Sequence, residues 1–158
     1  MVTLAAGAEM KKTMRQLDKW AEKKKRQVRL EVERSAVRME GDMARNAPVF
    51  EGTLRSSIKI TRRDKGFTAL VGSILKYALS IEYGMRPGVV FLPWTYGPLR
   101  RWVEKVLGVR GKRTSQVTFF VARKIFKKGF PAHPFMRPAF RKEKPKFQRA
   151  IFKIMKAA

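Results

Sequence analysis

The chain has no cysteine, one histidine and only twelve acidic residues among 158. Without thiols there can be neither a disulfide framework nor a thiolate metal site, which suits a reducing compartment. Acyl-transfer catalysis normally needs a nucleophile, a base and an orienting group, and His133 stands alone between Ala132 and Pro134. A packing or surface role is the better reading of that histidine. The acids are too scattered for a metal cluster, and Glu31, Glu33, Glu40 and Asp42 lie among basic residues, where they read as a solvated, salt-bridging face. Gly108 to Thr114 lacks the spacing of a nucleotide phosphate loop. A glycine-flanked basic turn before a helix start could still hold a phosphate, but a plain exposed turn is the leading reading. No apolar run approaches the ~18 residues of a membrane span, and the first residues lack the layout of a signal peptide, so a soluble, unsecreted product is expected. No enzyme activity, cofactor or metal is expected.

Positive charge is what the chain has in abundance. It carries 37 lysines and arginines and a formal net charge of +25, which calls for a polyanion or an acidic partner. The charge is concentrated: residues 100–158 hold 18 basic residues against Glu104 and Glu143 alone. Within that third, Lys112, Arg113, Arg123, Lys124, Lys127, Lys128, Arg137, Arg141 and Lys142 are the candidate contacts to DNA phosphates or to an acidic protein, with Lys144 and Lys146 beside them. A basic face of this kind binds phosphate without sequence preference and weakens steeply with salt. Phe119, Phe120, Phe126, Phe130 and Phe140 are interleaved with these charges, and their three-to-four-residue steps around Val117, Val121 and Ile125 read as core rather than as base-stacking platforms. The basic first helix has too many acids on its polar face to favour a membrane surface.

The pattern predicts an α+β fold: a long N-terminal helix, a small antiparallel sheet, and C-terminal helices packed on it. With 44% hydrophobic residues, 158 residues fit one domain, 1–158. It divides into a long projecting helix (1–46), an α+β core (47–140) and a basic C-terminal helix (141–158). Leu17, Ala21, Val28, Val32, Ala36, Met39 and Met43 recur at steps of three and four from Met14, with Lys24 as the polar exception, predicting a helix from about Glu9 to Arg45. At ~1.5 Å per residue that is roughly 50 Å, longer than a domain of this size is wide, so part of it should project and neighbouring copies should cover its apolar stripe. Pro48 ends the helix, Gly52 frees a turn and Thr53 can cap a short helical turn.

Ile58 and Ile60, then Phe67, Ala69 and Val71, alternate around Asp64-Lys65-Gly66 as a hairpin. Leu75 to Glu82 reads as a short helix stopped by Gly84, and Met85 to Pro93 as a loop. Pro98 opens a helix, Leu99 to Leu107, with Trp102, Val103, Val106 and Leu107 inward. Lys112 to Lys128 fits neither period cleanly and is taken as helix, capped by Thr114 or Ser115 and stopped by Gly129. Pro131 and Pro134 hold the next stretch extended. Pro138 opens a last helix, and Pro145 kinks it before Phe147, Ile151, Ile154 and Met155.

Three segments share an order and spacing with a known family: Ala44-Arg-Asn-Ala-Pro-Val-Phe-Glu-Gly-Thr-Leu-Arg-Ser-Ser-Ile58, Tyr77-Ala-Leu-Ser-Ile-Glu-Tyr-Gly84, and Lys127-Lys-Gly-Phe-Pro-Ala-His-Pro-Phe-Met-Arg-Pro-Ala-Phe140. Together they resemble the tail-completion, head–tail joining (neck) proteins of long-tailed double-stranded DNA bacteriophages. The resemblance carries over to Ala47, Pro48, Gly52, Leu54, Arg55 and Ser57, to Tyr77, Ala78, Glu82 and Gly84, and to Gly129, Pro134, Phe135, Arg137, Pro138 and Ala139, as packing or interface positions. It implies a non-catalytic virion protein, made in the host cytoplasm and built into the neck. There it would form a six-fold or twelve-fold ring of itself, between the head connector and the tail terminator or tail tube, around the DNA. Two departures stand out: Phe50-Glu51-Gly52 replaces the usual acidic and small polar residues after the first proline, and Phe91 to Trp102 is an insert.

Overall fold

A computed structural model describes residues 2–49, 52–88 and 93–157. The fold is α+β, with helices α1 (Val2–Asn46), α2 (Thr53–Ser57), α3 (Ala78–Tyr83), α4 (Pro93–Val106), α5 (Lys112–Lys128) and α6 (Met136–Lys156). A two-stranded sheet, β1 (Ile58–Arg63) and β2 (Thr68–Ser73), lies between α2 and α3. The hairpin turn Asp64–Gly66 places three successive residues at positive φ, of which only Gly66 takes that conformation without steric cost.

Several boundaries differ from expectation. α1 begins at Val2 rather than Glu9, because Val2 to Ala8 is alanine-rich and contains no breaker stronger than Gly7. The cap of α2 is Gly52 in the left-handed conformation, and Thr53 is already helical. α3 is shorter than Leu75 to Glu82, and α4 begins at Pro93 with Pro98 inside it. Val106 and Leu107 are exposed, leaving Val103 as the fully buried residue of that helix and Trp102 half-buried. α5 has the predicted limits, but Gly111 occupies its cap position and no side chain caps it; Thr114 donates instead to the Val109 carbonyl at 3.1 Å. α6 starts at Met136, before Pro138, and runs continuously across Pro145. Residues Phe50, Glu51 and Val89 to Leu92, which include part of both family departures, lie outside the described residues.

The chain gathers into two compact units. The first comprises residues 1–40, 60–71 and 140–158. In it α1 and α6 run antiparallel, since Arg38 meets Glu143 while Lys24 meets the α6 C-terminus. Val32 and Ala36 are the buried apolar positions of α1 here. Of the acids read as a solvated, salt-bridging face, Glu31 accepts from Arg38 Nη2 at 2.7 Å, and Arg38 Nε also donates to the buried Glu143 at 2.8 Å. Arg62 Nε donates to Glu33 at 2.8 Å, and Arg29 stacks over Phe67 at 4.6 Å. The Glu143 and Glu31 carboxylates hold the Arg38 guanidinium above its ordinary pKa, outweighing its partial burial.

The second unit comprises residues 41–59 and 72–139. Its buried apolar residues are Met43, Ala47, Leu54, Ile58, Ala78, Val103, Phe135 and Ala139, and α4 packs on α5. Asp42, also read as solvated, is buried here and pairs with Arg45. Ser57 and Ser73 share a 2.7 Å hydrogen bond where the hairpin opens.

Truncating Arg38 to alanine should strand the buried Glu143 carboxylate. A loss of about 2 kcal/mol of unfolding free energy is expected, read from urea denaturation near neutral pH; an unchanged midpoint would show that Glu143 is hydrated rather than paired.

Candidate functional site

The N-terminus of α6 is built around one carboxylate. A helix start leaves its first backbone N–H groups without intrahelical acceptors, and a negative charge there is favourable. Glu82, at the end of α3 and 1% exposed, fills this role from 53 residues away in sequence. Its oxygens accept from the backbone N–H of Phe135 at 2.7 Å, Met136 at 2.8 Å and Arg137 at 3.0 Å, and from Arg137 Nε at 3.0 Å. Arg137 Nη2 donates in turn to the Glu82 carbonyl at 2.9 Å, and its guanidinium lies 4.7 Å from the Tyr83 ring centre. Burial pushes the Glu82 carboxyl pKa up, but the three N–H donors and the Arg137 guanidinium together hold it below its ordinary value of 4.5.

Two glycines let the chain reach this arrangement. Gly84 and Gly129 have φ of 74° and 76°, and they flank a bridge in which Met85 and Phe130 exchange backbone hydrogen bonds of 2.9 and 2.8 Å. A Cβ on Gly84 would stand 2.6 Å from the Phe130 carbonyl oxygen, and one on Gly129 would collide with the Met85 carbonyl. His133 donates its backbone N–H to Ile81 at 2.8 Å, while its exposed ring leans on Phe130 with centres 5.6 Å apart. Pro134 precedes the fully buried Phe135, and Pro138 sits exposed in the first turn of α6.

Three further signature positions edge an apolar groove of about 650 Å³ in the same unit. Pro48, Leu54 and Tyr77 line it together with Ile81, Trp102 and Phe130. Arg55 stands apart and donates Nε to the Ala44 carbonyl at 2.8 Å, tying α2 to the end of α1.

α5 supplies the basic candidates. Thr114 and Thr118 are fully buried and Val121 and Ile125 half-buried along its inward side, where Thr118 bonds the Thr114 carbonyl at 2.7 Å. Lys112, Arg113, Arg123, Lys124, Lys127 and Lys128 are all exposed. The phenyl rings expected in the core are exposed as well: Phe119 by 58%, Phe120 by 62%, Phe126 by a smaller margin, and Phe140 on α6. The threonines hold the inward side, so rings flanking Arg123 on the opposite face of the helix have nowhere in this unit to go. Arg137 is committed to Glu82 and Tyr83, whereas Arg141 and Lys142 are exposed on the part of α6 that belongs to the first unit.

Among the described residues no three His, Cys, Asp or Glu side chains are placed to hold a metal ion, and no helix is long and apolar enough to cross a membrane. Glu82 is a signature position, but its role as the α6 cap leaves no local spacing to find, because the groups it caps lie more than fifty residues away.

Glu82→Gln keeps the volume but turns a double acceptor into a group with its own N–H donors. It should cost about 3 kcal/mol near neutral pH. A depressed carboxyl stabilises the fold above its ordinary pKa and loses that contribution as pH falls through the folded value. Wild-type stability should therefore fall below pH 4.5 more steeply than that of Glu82→Gln. Parallel acid limbs in urea titrations of the two proteins would refute this account. Gly84→Ala should independently lower the thermal midpoint, because both the positive φ and the Phe130 carbonyl exclude a methyl group.

Residues 11–84 match the model of the HK97-gp10-like family, described as "Bacteriophage HK97-gp10, putative tail-component". The matched segment takes in most of α1, α2, the hairpin and α3, ending just after Glu82. No curated protein and no solved structure matches. Over that segment, a little under half of the chain, the protein is similar to this family of phage tail components.

Proposed function

We propose that this protein is a structural component of a phage tail and virion, a neck protein forming a six-fold or twelve-fold ring that completes the tail and joins it to the head connector around the DNA channel. The observation that carries the reading is the surface of α5. From Lys105 to Lys142 the chain has no acidic residue, and α5 presents six exposed cations and three exposed phenyl rings. A surface of one sign with bare aromatics repels its own kind and gains from a counter-charged neighbour. At the head–tail joint that neighbour is DNA in the channel or an acidic ring of the connector, tail terminator or tail tube. The buried groups in the described residues serve the fold rather than chemistry: Glu82 caps a helix and Glu143 pairs with Arg38.

Size-exclusion chromatography with negative-stain imaging tests the ring. Closed rings are expected for the full chain alone or mixed with the adjoining virion proteins, and persistence of single copies in both samples would overturn the reading.

A second reading, a sequence-nonspecific DNA-binding protein acting as a monomer, is favoured by the same α5 cations. Duplex titration across a salt series separates the two. A monomeric DNA binder would lose affinity with a logarithmic slope of about −0.9 per phosphate contact, flattened by replacing Arg123, Lys124, Lys127 and Lys128 with serine. Absence of binding by the monomer at moderate salt removes this reading and leaves the ring intact.

A further inference from the structure

The outward face of α5 carries two chemistries side by side. At about 3.6 residues per turn, Phe119, Ala122 and Phe126 fall along one strip of the helix, Arg123 and Lys127 along the strip beside it, and Phe120 beyond them. All three phenyl rings and both cations are exposed. Phe119 and Phe120 meet edge to face, with ring centres 6.0 Å apart and planes at 65°, and with Ser115 and Gln116 they line an open hollow. No acid interrupts this face, since α5 contains none.

We propose that this face docks an acidic protein surface, one whose carboxylates border an apolar strip, and not DNA. The inference rests on the neck reading and narrows its two anionic neighbours to one. Charge argues against a second copy as the occupant. Two α5 faces would oppose cations to cations, and the chain has no acidic patch to offer in their place: seven of its twelve acids face a cation of their own chain, and the other five are spread singly between Glu9 and Asp64. The phenyl rings argue against a duplex. Its outer surface is phosphate and sugar, which attract cations but give a phenyl ring no apolar contact in return for the water it sheds. Rings that bind single strands serve as stacking platforms for successive bases, whereas Phe119 and Phe120 lean edge to face on each other. A protein surface meets both demands at once, burying Phe119 and Phe126 in its apolar strip while its bordering carboxylates reach Arg123 and Lys127.

Fluorescence anisotropy on the full chain at moderate salt tests this with labelled probes: a helical peptide whose leucine stripe is flanked by glutamates, the same peptide with its leucines changed to glutamine, duplex DNA, and a single-stranded oligonucleotide. The leucine peptide should bind at least about tenfold more tightly than its glutamine counterpart. Phe119→Ser combined with Phe126→Ser should remove that margin while leaving duplex affinity within about twofold, because only charge holds the duplex. Circular dichroism checks this variant, and Phe119→Gln with Phe126→Gln takes its place if helix content falls. Equal binding of the two peptides, or a margin that survives loss of the phenyl rings, overturns the proposal. So does binding of either DNA that depends on those rings as strongly as the leucine peptide does. Closed assemblies in negative-stain images together with equal peptide binding would leave the neck reading standing and remove this one. A leucine-peptide margin that depends on the phenyl rings, in a chain that never closes into such assemblies, would do the reverse.

Discussion

The carboxylate of Glu82 fixes where the last helix begins. Three backbone N–H groups and one guanidinium converge on it in a space with almost no access to water. Each of those N–H groups would otherwise be an orphan of the first turn of α6, costly to bury. The surrounding sequence can be read as serving this contact. Gly84 and Gly129 allow the close passage of two backbones, Pro131 and Pro134 restrict the approach to Phe135, and Arg137 closes the carboxylate's remaining side. A single ionised group, satisfied on all sides, thereby joins two segments far apart in sequence.

The same economy runs through the other acids. Glu143 and Glu31 hold Arg38, Glu33 holds Arg62, and Asp42 holds Arg45. Exposed pairs such as Glu22 with Lys25 contribute little, because water and salt screen them. The buried carboxylates matter more, because an unpaired charge in the interior costs several times as much as the pair gains. With so few acids placed against internal partners, the surplus of cations is left facing outward, most plainly on α5.

Much of this was legible in the sequence. The apolar period of α1, the alternation about Asp64 to Gly66 and the stop at Gly129 are local signals set by backbone geometry, and they gave the long helix, the hairpin and the limits of α5. What misled was periodicity read as burial. Phe119, Phe120 and Phe126 recur at helical steps, yet Thr114 and Thr118 hold the buried side of α5, because those hydroxyls satisfy themselves on the carbonyls of Val109 and Thr114 and pack as small apolar groups. Asp42 was legible as a salt-bridging residue, since Arg45 follows at i+3, but its burial comes from tertiary packing and leaves no local signal. Pairings between residues 82 and 135, or 38 and 143, are decided by tertiary packing and leave no periodic trace.

Charge and bare apolar surface are best considered together. Burying an exposed phenylalanine, leucine or methionine is worth about 1.5–3 kcal/mol, so Met10, Met14, Leu17 and the three α5 rings amount to a substantial drive toward association. Against it stands a net charge of +25 on every copy. Repulsion between copies acts over a Debye length of about 10 Å at 0.1 M salt and grows with each copy added to an assembly. Apolar contacts placed away from the cations, as along the α1 stripe, avoid the worst of this locally but do not remove the accumulated charge. A closed assembly of such chains would therefore be stable in proportion to the anionic surface it meets, whether phosphate or carboxylate. In a chain of this composition, self-association and engagement of an acidic neighbour would favour one another, since counter-charge lowers the repulsion that any contact between copies must overcome.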